Sequence, residues 1–495
     1  MRRKEHTQAM PVGSYPSTGI EVLIIGTGPA GITAAIECVR KGHKVRVLER
    51  NKTEINTGGD IFFLGRSATQ FLVHWPELAR EYDSVSLRNA WIETLKHSGE
   101  QMVKPMRASD RLRAQGLDPD TPSPGNIQMR PVIYQILLNQ LKRLGIKVEY
   151  GQQVTEYFES KDYTRAGVIT RGGQTCEADI VIAADGIGSV SQRIVGGREL
   201  KAKSSGRAMW RAKFPIHHLD RNPGVKQYFE MAGDKGDEPI LRFFLGPSTY
   251  ALTLSLSDTI VWALNHDTTG SEAESWNNTI QKEEVLATID RKTGTQKWAQ
   301  VLKDLVDCTP PDTIINLPLL WRNPQPSWTS PGARIVQIGD SAHAFHPAAG
   351  TGAAQAMEDA ITIASCLQIG GKDSIQQSVK THVMLRFVRT ACAQKVGLFN
   401  ADLMQDADWN KVEISPSRAM PKLPAWNFSH NPERYTYENY DKVVEGICSG
   451  AKYITDLDIP PNYPPGYTYE PWDVEQVMSD RLSGNALVLE PGQWD

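Results

Sequence analysis

The apolar residues near the start of the chain follow a pattern that predicts a strand, a helix and a second strand. Val22–Ile25 is an unbroken apolar run, as expected for a strand that is buried on both faces of a parallel sheet. From Gly31 to Arg40 the apolar residues recur at helical spacing, and Gly42 ends that pattern. Val45–Leu48 is the second apolar run.

Later patterns predict two kinds of sheet. Apolar runs at 180–184 and 333–338 predict further buried parallel strands, whereas alternating segments at 209–214, 241–245 and 250–265 predict a largely antiparallel sheet. Shorter strands are predicted at 148–154 and 166–170. Helical spacing predicts helices at 67–75, at 130–138, from Gly352 onward, and at 380–404. From Ser415 onward prolines and aromatic residues are dense, which indicates an irregular but packed lobe.

Gly26, Gly28 and Gly31 form a GxGxxG motif between the first predicted strand and helix. Such glycines permit a tight turn, close approach of the backbone to a pyrophosphate, and close packing of helix and strand. The helix amino terminus offers free N–H groups to phosphates. Glu49 follows Gly31 by 18 residues, the spacing of a carboxylate that binds an adenosine ribose. This order predicts a dinucleotide site, although the motif alone does not distinguish NAD from FAD.

Arg130 stands at the amino terminus of the helix predicted at 130–138. A cation is electrostatically unfavourable at that end of the helix dipole. A bound anion would remove the conflict, so Arg130 is a candidate phosphate-binding residue. The alternative is a solvated surface charge.

Composition and charge restrict the class of protein. The 495 residues carry a net charge of −3, which argues against a nucleic-acid partner and a polybasic membrane anchor. No apolar run approaches the roughly 18 residues of a membrane-spanning helix, and the first residues lack a signal-peptide core, so we expect a cytoplasmic protein. The six cysteines are scattered without a CxxC motif, and His343 and His346 have no obvious third ligand. We therefore expect free thiols and no metal site.

Three motifs occur together: GTGPAG at 26–31, DGIGS followed by Arg193 at 185–193, and GDSAHAFHPAAGTGAAQAMEDA at 339–360. In this order they resemble the class A flavoprotein monooxygenases, which include salicylate and p-hydroxybenzoate hydroxylases and many fungal biosynthetic hydroxylases. The resemblance covers most of the first 400 residues. It implies a non-covalent FAD that is reduced by NAD(P)H. It also implies that O2 adds at C4a of the flavin and that the hydroperoxide oxidises an electron-rich, aromatic small molecule.

The resemblance also implies an α/β fold with an FAD-binding Rossmann-like domain of the GR2 type. We expect that domain to be discontinuous and to comprise residues 20–95, 128–198 and 331–370. Residues 199–330 are expected to form a substrate domain with a mainly antiparallel sheet. Residues 371–495 are expected to form a long helix followed by the irregular lobe. The protein is expected to be a monomer or a homodimer.

The roles of the family's residues carry over to the matching positions. The glycines would bind the FAD pyrophosphate and Glu49 the ribose, while Asp340 would accept hydrogen bonds from the ribityl or pyrophosphate region. Asp185 would lie near the pyrophosphate in a motif that is also implicated in NAD(P)H binding. The predicted cofactor-binding residues are Gly26, Gly28, Gly31, Glu49, Arg50, Gly59, Asp60, Arg130, Val154, Asp185, Asp340, Pro347, Thr351, Gly352 and Ala353.

Arg211 is the candidate catalytic residue. It lies where the chain enters the substrate domain and matches an arginine that faces the flavin in related hydroxylases. A guanidinium there would orient a phenolic substrate and favour its ionised form. The alternative is a structural arginine that pairs with a carboxylate on the sheet.

Two departures from the family argue against a simple salicylate-type substrate, and other functions are open as well. Gln355 replaces an asparagine that is common after the GD motif, and Leu254 stands where related aromatic hydroxylases often have a tyrosine. One alternative is another flavoenzyme on the same fold, such as a halogenase or a reductase. Another is a non-catalytic binding or escort protein.

Overall fold

The computed structural model describes residues 15–54, 61–87, 90–107, 109–110, 126–197, 202–246, 249–268, 279–292, 297–405, 421–483, 485 and 487–494. Its first layer is a five-stranded parallel sheet with Glu21–Ile25 in the centre, flanked by strands that come from distant parts of the chain. This arrangement confirms the parallel sheet that the apolar runs predict. The strand order is Ile335–Gln337, Ile180–Ala183, Glu21–Ile25, Lys44–Leu48 and Val148–Glu149.

The two faces of this sheet pack against different layers, because side chains alternate along a strand. Val22 and Ile24 contribute to a core shared with three helices, whereas Leu23 and Ile25 contribute to a core shared with a small antiparallel sheet. The helices are Pro29–Arg40, Arg130–Arg143 and Gly352–Gly370. The small sheet consists of Val154–Glu159, Ala166–Thr170 and Thr175–Ala178.

The single strand predicted at 148–154 is wrong, because the chain divides there. Val148–Glu149 ends the parallel sheet, and Val154–Glu159 begins the antiparallel one. Gly151 lies between them with φ of +74°, a left-handed conformation that turns the chain.

An eight-stranded sheet forms the second layer. Its pairs are antiparallel except for the parallel pair of Ile240–Gly246 with Trp91–Lys96. Trp91–Lys96 thus pairs in this sheet, although the first segment of the expected FAD-binding domain extends to residue 95. The strand order is Thr279–Ile280, Ile314–Trp321, Lys203–Pro215, Thr259–Asp267, Thr249–Ser255, Ile240–Gly246, Trp91–Lys96 and Gln101–Arg107. Helices Pro223–Tyr228, Lys282–Lys292 and Gln300–Cys308 accompany it.

Several short elements accompany the two large sheets. Ile61–Leu64 pairs with Asn126–Met129 in a two-stranded sheet. The helix predicted at 67–75 is only partly correct, since an α-helix at Arg66–Thr69 gives way to a 3₁₀-helix at Gln70–His74. Pro76–Val85 and Gln192–Gly196 are further short helices.

The C-terminal part begins with the long helix Ile375–Gln405, which confirms the helix predicted at 380–404. The C-terminal lobe, residues 421–494, is more regular than expected, because it contains the 17-residue helix Pro432–Cys448 as well as Ala425–Phe428 and Val474–Leu482. Its aromatic residues form a shared core with the long helix. Within the described ranges, none of the helices combines the length and the apolar character that a bilayer crossing requires.

Candidate active site

The glycine turn after the first strand has the geometry of a phosphate-binding loop. Gly26 adopts φ of +100°, and a Cβ there would lie 2.5 Å from the carbonyl oxygen of Ala184. A Cβ on Gly31 would overlap the carbonyl oxygen of Gly26. Gly28 differs, because a Cβ there would meet no atom within 4 Å. Gly28 is also the N-cap of helix Pro29–Arg40, whose first turn has no side-chain cap, so this end of the helix is available to an anion.

Glu49 closes the same turn from the second strand. Its carboxylate accepts hydrogen bonds from the backbone N–H (3.0 Å) and hydroxyl (2.7 Å) of Thr27. It also accepts from the backbone N–H (2.9 Å) and the side-chain amide (2.6 Å) of Asn51. Four donors fill the acceptor capacity of a carboxylate. A ribose hydroxyl at Glu49 would therefore replace the side chain of Thr27 or of Asn51.

A second helix amino terminus lies next to the first. Gly339, with φ of +61°, packs between the two helices, since a Cβ there would lie 3.1 Å from both Ala30 and Ala356. Helix Gly352–Gly370, which we call the flavin helix, starts after Thr351 without a side-chain cap. The close packing at Gly339 thus directs two uncapped helix amino termini toward one region.

Charged residues from five segments converge on this region. The carboxyl of Asp340 is accessible to solvent but is enclosed by protein, and desolvation raises its pKa while the charges of Arg130 and Arg322 oppose the rise. Burial likewise raises the pKa of Asp185, and the charge of Arg50 opposes that rise. An accessible carboxyl that is surrounded by protein indicates an open cleft.

Arg322 joins the two loops that carry these aspartates. Its guanidinium donates to the carbonyl oxygens of Ser341 (3.0 Å) and Ile187. Desolvation lowers its pKa, while Asp340 and Asp185 counteract that effect. Tyr157 supports the same region by donating a hydrogen bond of 2.8 Å to Asp185.

The cleft has unsatisfied polar atoms that a dinucleotide could use. The Oδ1 atom of Asp185 and the Oγ1 atom of Thr351 are buried without a hydrogen-bond partner among the described residues. Because buried polar atoms normally have partners, both positions favour a ligand. Together with the open space at Gly28, they fit a bound FAD.

Arg211 lies in strand Lys203–Pro215 of the eight-stranded sheet. It pairs with Ala263 and Ile315 in the eight-stranded sheet, and residues that pair across strands share a face. The same face carries Met209 and Ala263, which form a core with Ala348 of the loop before the flavin helix. Since side chains alternate along a strand, Arg211, which is only 5% exposed, lies on the sheet face that packs against that loop.

Comparisons with known proteins agree with this geometry. The model of the FAD dependent oxidoreductase family matches residues 21–307. FAD-dependent monooxygenase dmxR9 of Cryptosporiopsis sp. is 34% identical over 97% of this chain and 91% of its own length. FAD-dependent monooxygenase fsr3 of Gibberella fujikuroi is also 34% identical, over 98% of this chain and 91% of its own length.

This chain belongs to the FAD-dependent monooxygenases.

Solved structures support this family assignment. The crystal structure of FqzB is similar with a TM-score of 0.79 and 27% identity, and the match covers 93% of this monooxygenase and 100% of FqzB. The structure of CtdE in complex with FAD and a substrate has a TM-score of 0.76 and 28% identity, with 87% and 100% covered. Salicylate hydroxylase, at 19% identity and a TM-score of 0.65, shares the fold.

The monooxygenase brings most of the predicted cofactor-binding residues to the cleft or its rim. Pro347 is exposed at the loop before the flavin helix, and Ala353 is half-buried in its first turn. Val154 is the first residue of strand Val154–Glu159 in the small antiparallel sheet and is half-buried. It packs against the core that includes Leu48 of the parallel sheet. Gly59 and Asp60 lie outside the described residues.

Several residues at the site were not identified from the sequence. Arg322 belongs to no motif, and its role depends on the loops that the fold brings to it. Thr27 occupies a variable position of GxGxxG, so no motif assigns it to Glu49. Tyr157 lies on strand Val154–Glu159, beyond the end of the strand predicted at 148–154. Asp359, in contrast, belongs to the motif at 339–360, so its position in that motif could have marked it as a candidate site residue.

Proposed function

We propose that this monooxygenase uses NAD(P)H and O2 to hydroxylate or epoxidise an electron-rich aromatic small molecule, and that Arg211 binds the substrate as its phenolate. Bound FAD, once reduced, supplies the activated oxygen. The observation that carries the proposal is the buried position of Arg211 on the sheet face that packs against the loop before the flavin helix.

The FAD side of the cleft binds and orients the cofactor. The glycine turn and the first helix would bind the pyrophosphate through backbone N–H groups. Asp340 would accept hydrogen bonds from cofactor hydroxyls. The backbone N–H groups of Thr351, Gly352 and Ala353 would face the pyrimidine edge of the flavin, where the positive end of the helix dipole stabilises negative charge.

The substrate side combines an apolar wall with the guanidinium of Arg211. Phe243, Leu252, Ile315 and Leu317 lie on the same face of the sheet as Arg211 and are only half-buried. Apolar side chains there exclude water and favour a flat ring. In such surroundings the guanidinium lowers the pKa of a bound phenol, because the effective dielectric constant is lower than in water. The resulting phenolate ring is richer in electrons and more readily oxygenated.

Replacing Arg211 tests the proposal. We expect Arg211→Met to retain FAD but to lower kcat/KM for aromatic oxygenation by about 30- to 150-fold, because a hydrogen bond to a charged group contributes roughly 2–3 kcal/mol. Product per NAD(P)H consumed and incorporation of isotope-labelled O2 are the measurements. Arg242→Met is the matched control, since Arg242 is equally buried (6%) but pairs with Glu93 on the other face of the sheet.

The outcomes separate the alternatives. Wild-type protein that binds FAD but oxidises NAD(P)H without oxygen incorporation into any phenol would be a reductase rather than a hydroxylase. An Arg211→Met variant with wild-type coupling and rate would show that Arg211 is structural. Equal losses in Arg211→Met and Arg242→Met would also contradict a specific role for Arg211.

A further inference from the structure

A fully buried ionic network joins the flavin helix to the long helix Ile375–Gln405. It consists of Glu358, Asp359, Arg386 and Arg389, each with at most 1% exposure. Arg386 donates from Nε to Asp359 (2.8 Å) and from Nη1 to Glu358. Arg389 donates from Nε (2.7 Å) and Nη2 (3.0 Å) to Glu358. Two cations and two carboxylates therefore compensate one another inside the protein.

The network reaches the loop that carries Asp340. The Oδ2 atom of Asp359 accepts from the backbone N–H of Gly339 (2.9 Å) and lies 2.6 Å from the Nε2 atom of His343. Gly339 immediately precedes Asp340. The charges of Arg386 and His343 lower the pKa of Asp359 against the effect of burial, so this acceptor stays ionised. The network thus fixes the backbone next to a predicted cofactor ligand.

The network also reaches the C-terminal lobe. Arg389 donates from Nη1 to the carbonyl oxygens of Trp426 (2.8 Å) and Asn462 (2.7 Å), and from Nη2 to that of Asn427 (2.8 Å). All five N–H groups of its guanidinium therefore have acceptors. Gln355, in the first turns of the flavin helix, donates to the Oδ1 atom of Asn427 (2.8 Å) and accepts from Arg386 (2.6 Å).

The lobe also contacts the other helix that faces the cofactor. Glu433, at the start of helix Pro432–Cys448, accepts hydrogen bonds from Arg40 and Lys41 at the carboxyl end of helix Pro29–Arg40. Arg40 and Lys41 are buried. The two helices whose amino termini border the cleft are thus both tied to one lobe, the first at its carboxyl end and the flavin helix at Gln355 near its amino terminus.

We propose that the C-terminal lobe keeps the flavin helix and the Asp340 loop in their FAD-binding arrangement, and that Arg389 is the positioning residue through which it acts. This proposal rests on the FAD site described above. Undocking the lobe would leave the buried Arg389 without three carbonyl acceptors and would free Gln355 from Asn427. A buried charge without a partner is energetically costly, so undocking of the lobe and displacement of the flavin helix are coupled. By thermodynamic linkage, FAD binding must then favour lobe docking by the same factor.

Hydrogen exchange on the wild-type protein tests the linkage without any variant. We expect saturating FAD to slow amide exchange in helix Pro432–Cys448 by about tenfold or more, although this helix does not border the cleft. Unchanged exchange in that helix, in protein that binds FAD, would overturn the proposal. Protein that binds no FAD at all would instead contradict the cofactor site itself.

Two variants test the role of Arg389. We expect Arg389→Met to raise the Kd for FAD about tenfold or more and to abolish the effect of FAD on exchange in the lobe. Gln355→Asn keeps the amide but shortens the side chain, and we expect a smaller increase in Kd. Arg434→Met is the matched control, because Arg434 is an exposed arginine of the lobe that pairs with Glu438 at 2.7 Å.

Melting temperatures and the Kd for FAD together distinguish a positioning role of Arg389 from a general contribution to stability. A purely structural Arg389 would lower the melting temperature of the apoprotein and of the FAD complex equally and leave the Kd of the folded fraction unchanged. That result would overturn the proposal. If Arg389→Met does not fold, two other measurements test the proposal: amide exchange in the wild-type protein with and without FAD, and the Kd of Gln355→Asn for FAD. A Gln355→Asn variant that binds FAD with the Kd of the wild type would contradict the proposal.

Discussion

Asp340 shows how a single carboxyl group can be accessible and yet desolvated. Its side chain reaches solvent through the cleft, while the surrounding protein raises its pKa and Arg130 and Arg322 oppose that rise. A cofactor that covers the carboxyl would remove its remaining water. Its ionised form would then depend on cofactor hydroxyls and on the two arginines.

Replacing Asp340 should mainly weaken FAD binding. We expect Asp340→Ala to raise the Kd for FAD about 5- to 150-fold, because a buried donor left without its acceptor costs roughly 1–3 kcal/mol. Titration of apoprotein by flavin fluorescence measures the change. Asp373→Ala, at an exposed aspartate, is the control. A Kd equal to that of wild type in Asp340→Ala would remove Asp340 from the cofactor site.

Among the elements, the strand–turn–helix unit at 21–40 shows two different uses of glycine. Gly31 is required by the protein itself, since a Cβ would overlap the Gly26 carbonyl oxygen. Gly28 has open space around it and a φ of −67°, which any residue can adopt. We propose that the open space at Gly28 is where the FAD pyrophosphate binds.

This contrast predicts opposite results for two similar variants. We expect Gly28→Ala to unfold at nearly the same temperature as wild-type apoprotein but to bind FAD at least tenfold more weakly, since its methyl group would occupy the pyrophosphate position. We expect Gly31→Ala to destabilise the apoprotein markedly because of the backbone overlap. Melting temperatures of the apoproteins and FAD titrations distinguish the two effects. A Gly28→Ala variant with normal FAD affinity would place the pyrophosphate elsewhere.

The sequence predicted elements whose signal is local. The strand, glycine turn and helix at 22–40 could be identified because apolar spacing and glycine positions lie within one short segment. The pairing of Trp91–Lys96 with Ile240–Gly246 could not, because an apolar run does not specify its partner. Arg322 could not be predicted for a related reason, since its acceptors are backbone carbonyl oxygens that only the fold brings close to its guanidinium. The lengths of the lobe helices were missed because proline and aromatic content obscured their periodicity.

On the scale of the whole molecule, buried histidines, among them His43, His346 and His382, make stability sensitive to acid. Burial lowers the pKa of His43 and of His346 from 6.5 to about 4, and that of His382 to about 3. Below pH 6.5 the unfolded chain takes up protons that the folded protein does not bind. The contribution of these histidines to folding stability is therefore fully present above pH 6.5 and is lost as the pH falls toward 4.

The loss should amount to about 2 kcal/mol for each such histidine at pH 5. Denaturant unfolding between pH 7.5 and 5, with saturating FAD, measures it. We expect His382→Leu to reduce the dependence of folding stability on pH, because it removes a titrating imidazole. The substitution breaks no hydrogen bond of the ring, since its nitrogens have no hydrogen-bond partner among the described residues. His217→Gln, at an exposed position, should leave it unchanged. Glu358 does not contribute in this range, since its arginine partners hold its pKa at about 2. If the free energy of unfolding changes equally with pH in wild type, His382→Leu and His217→Gln, His382 is not a source of the acid sensitivity.

The order of the parallel sheet has a consequence for biosynthesis. Strand Glu21–Ile25 emerges early from the ribosome, but its neighbour Ile180–Ala183 and the edge strand Ile335–Gln337 follow much later. At about 5–20 residues per second, the nascent chain exposes an incomplete apolar sheet for roughly tens of seconds. Such late, long-range pairing slows folding and favours aggregation. Chaperone capacity and flavin supply, rather than the strength of the finished core, should therefore limit the yield of holoenzyme in a cell.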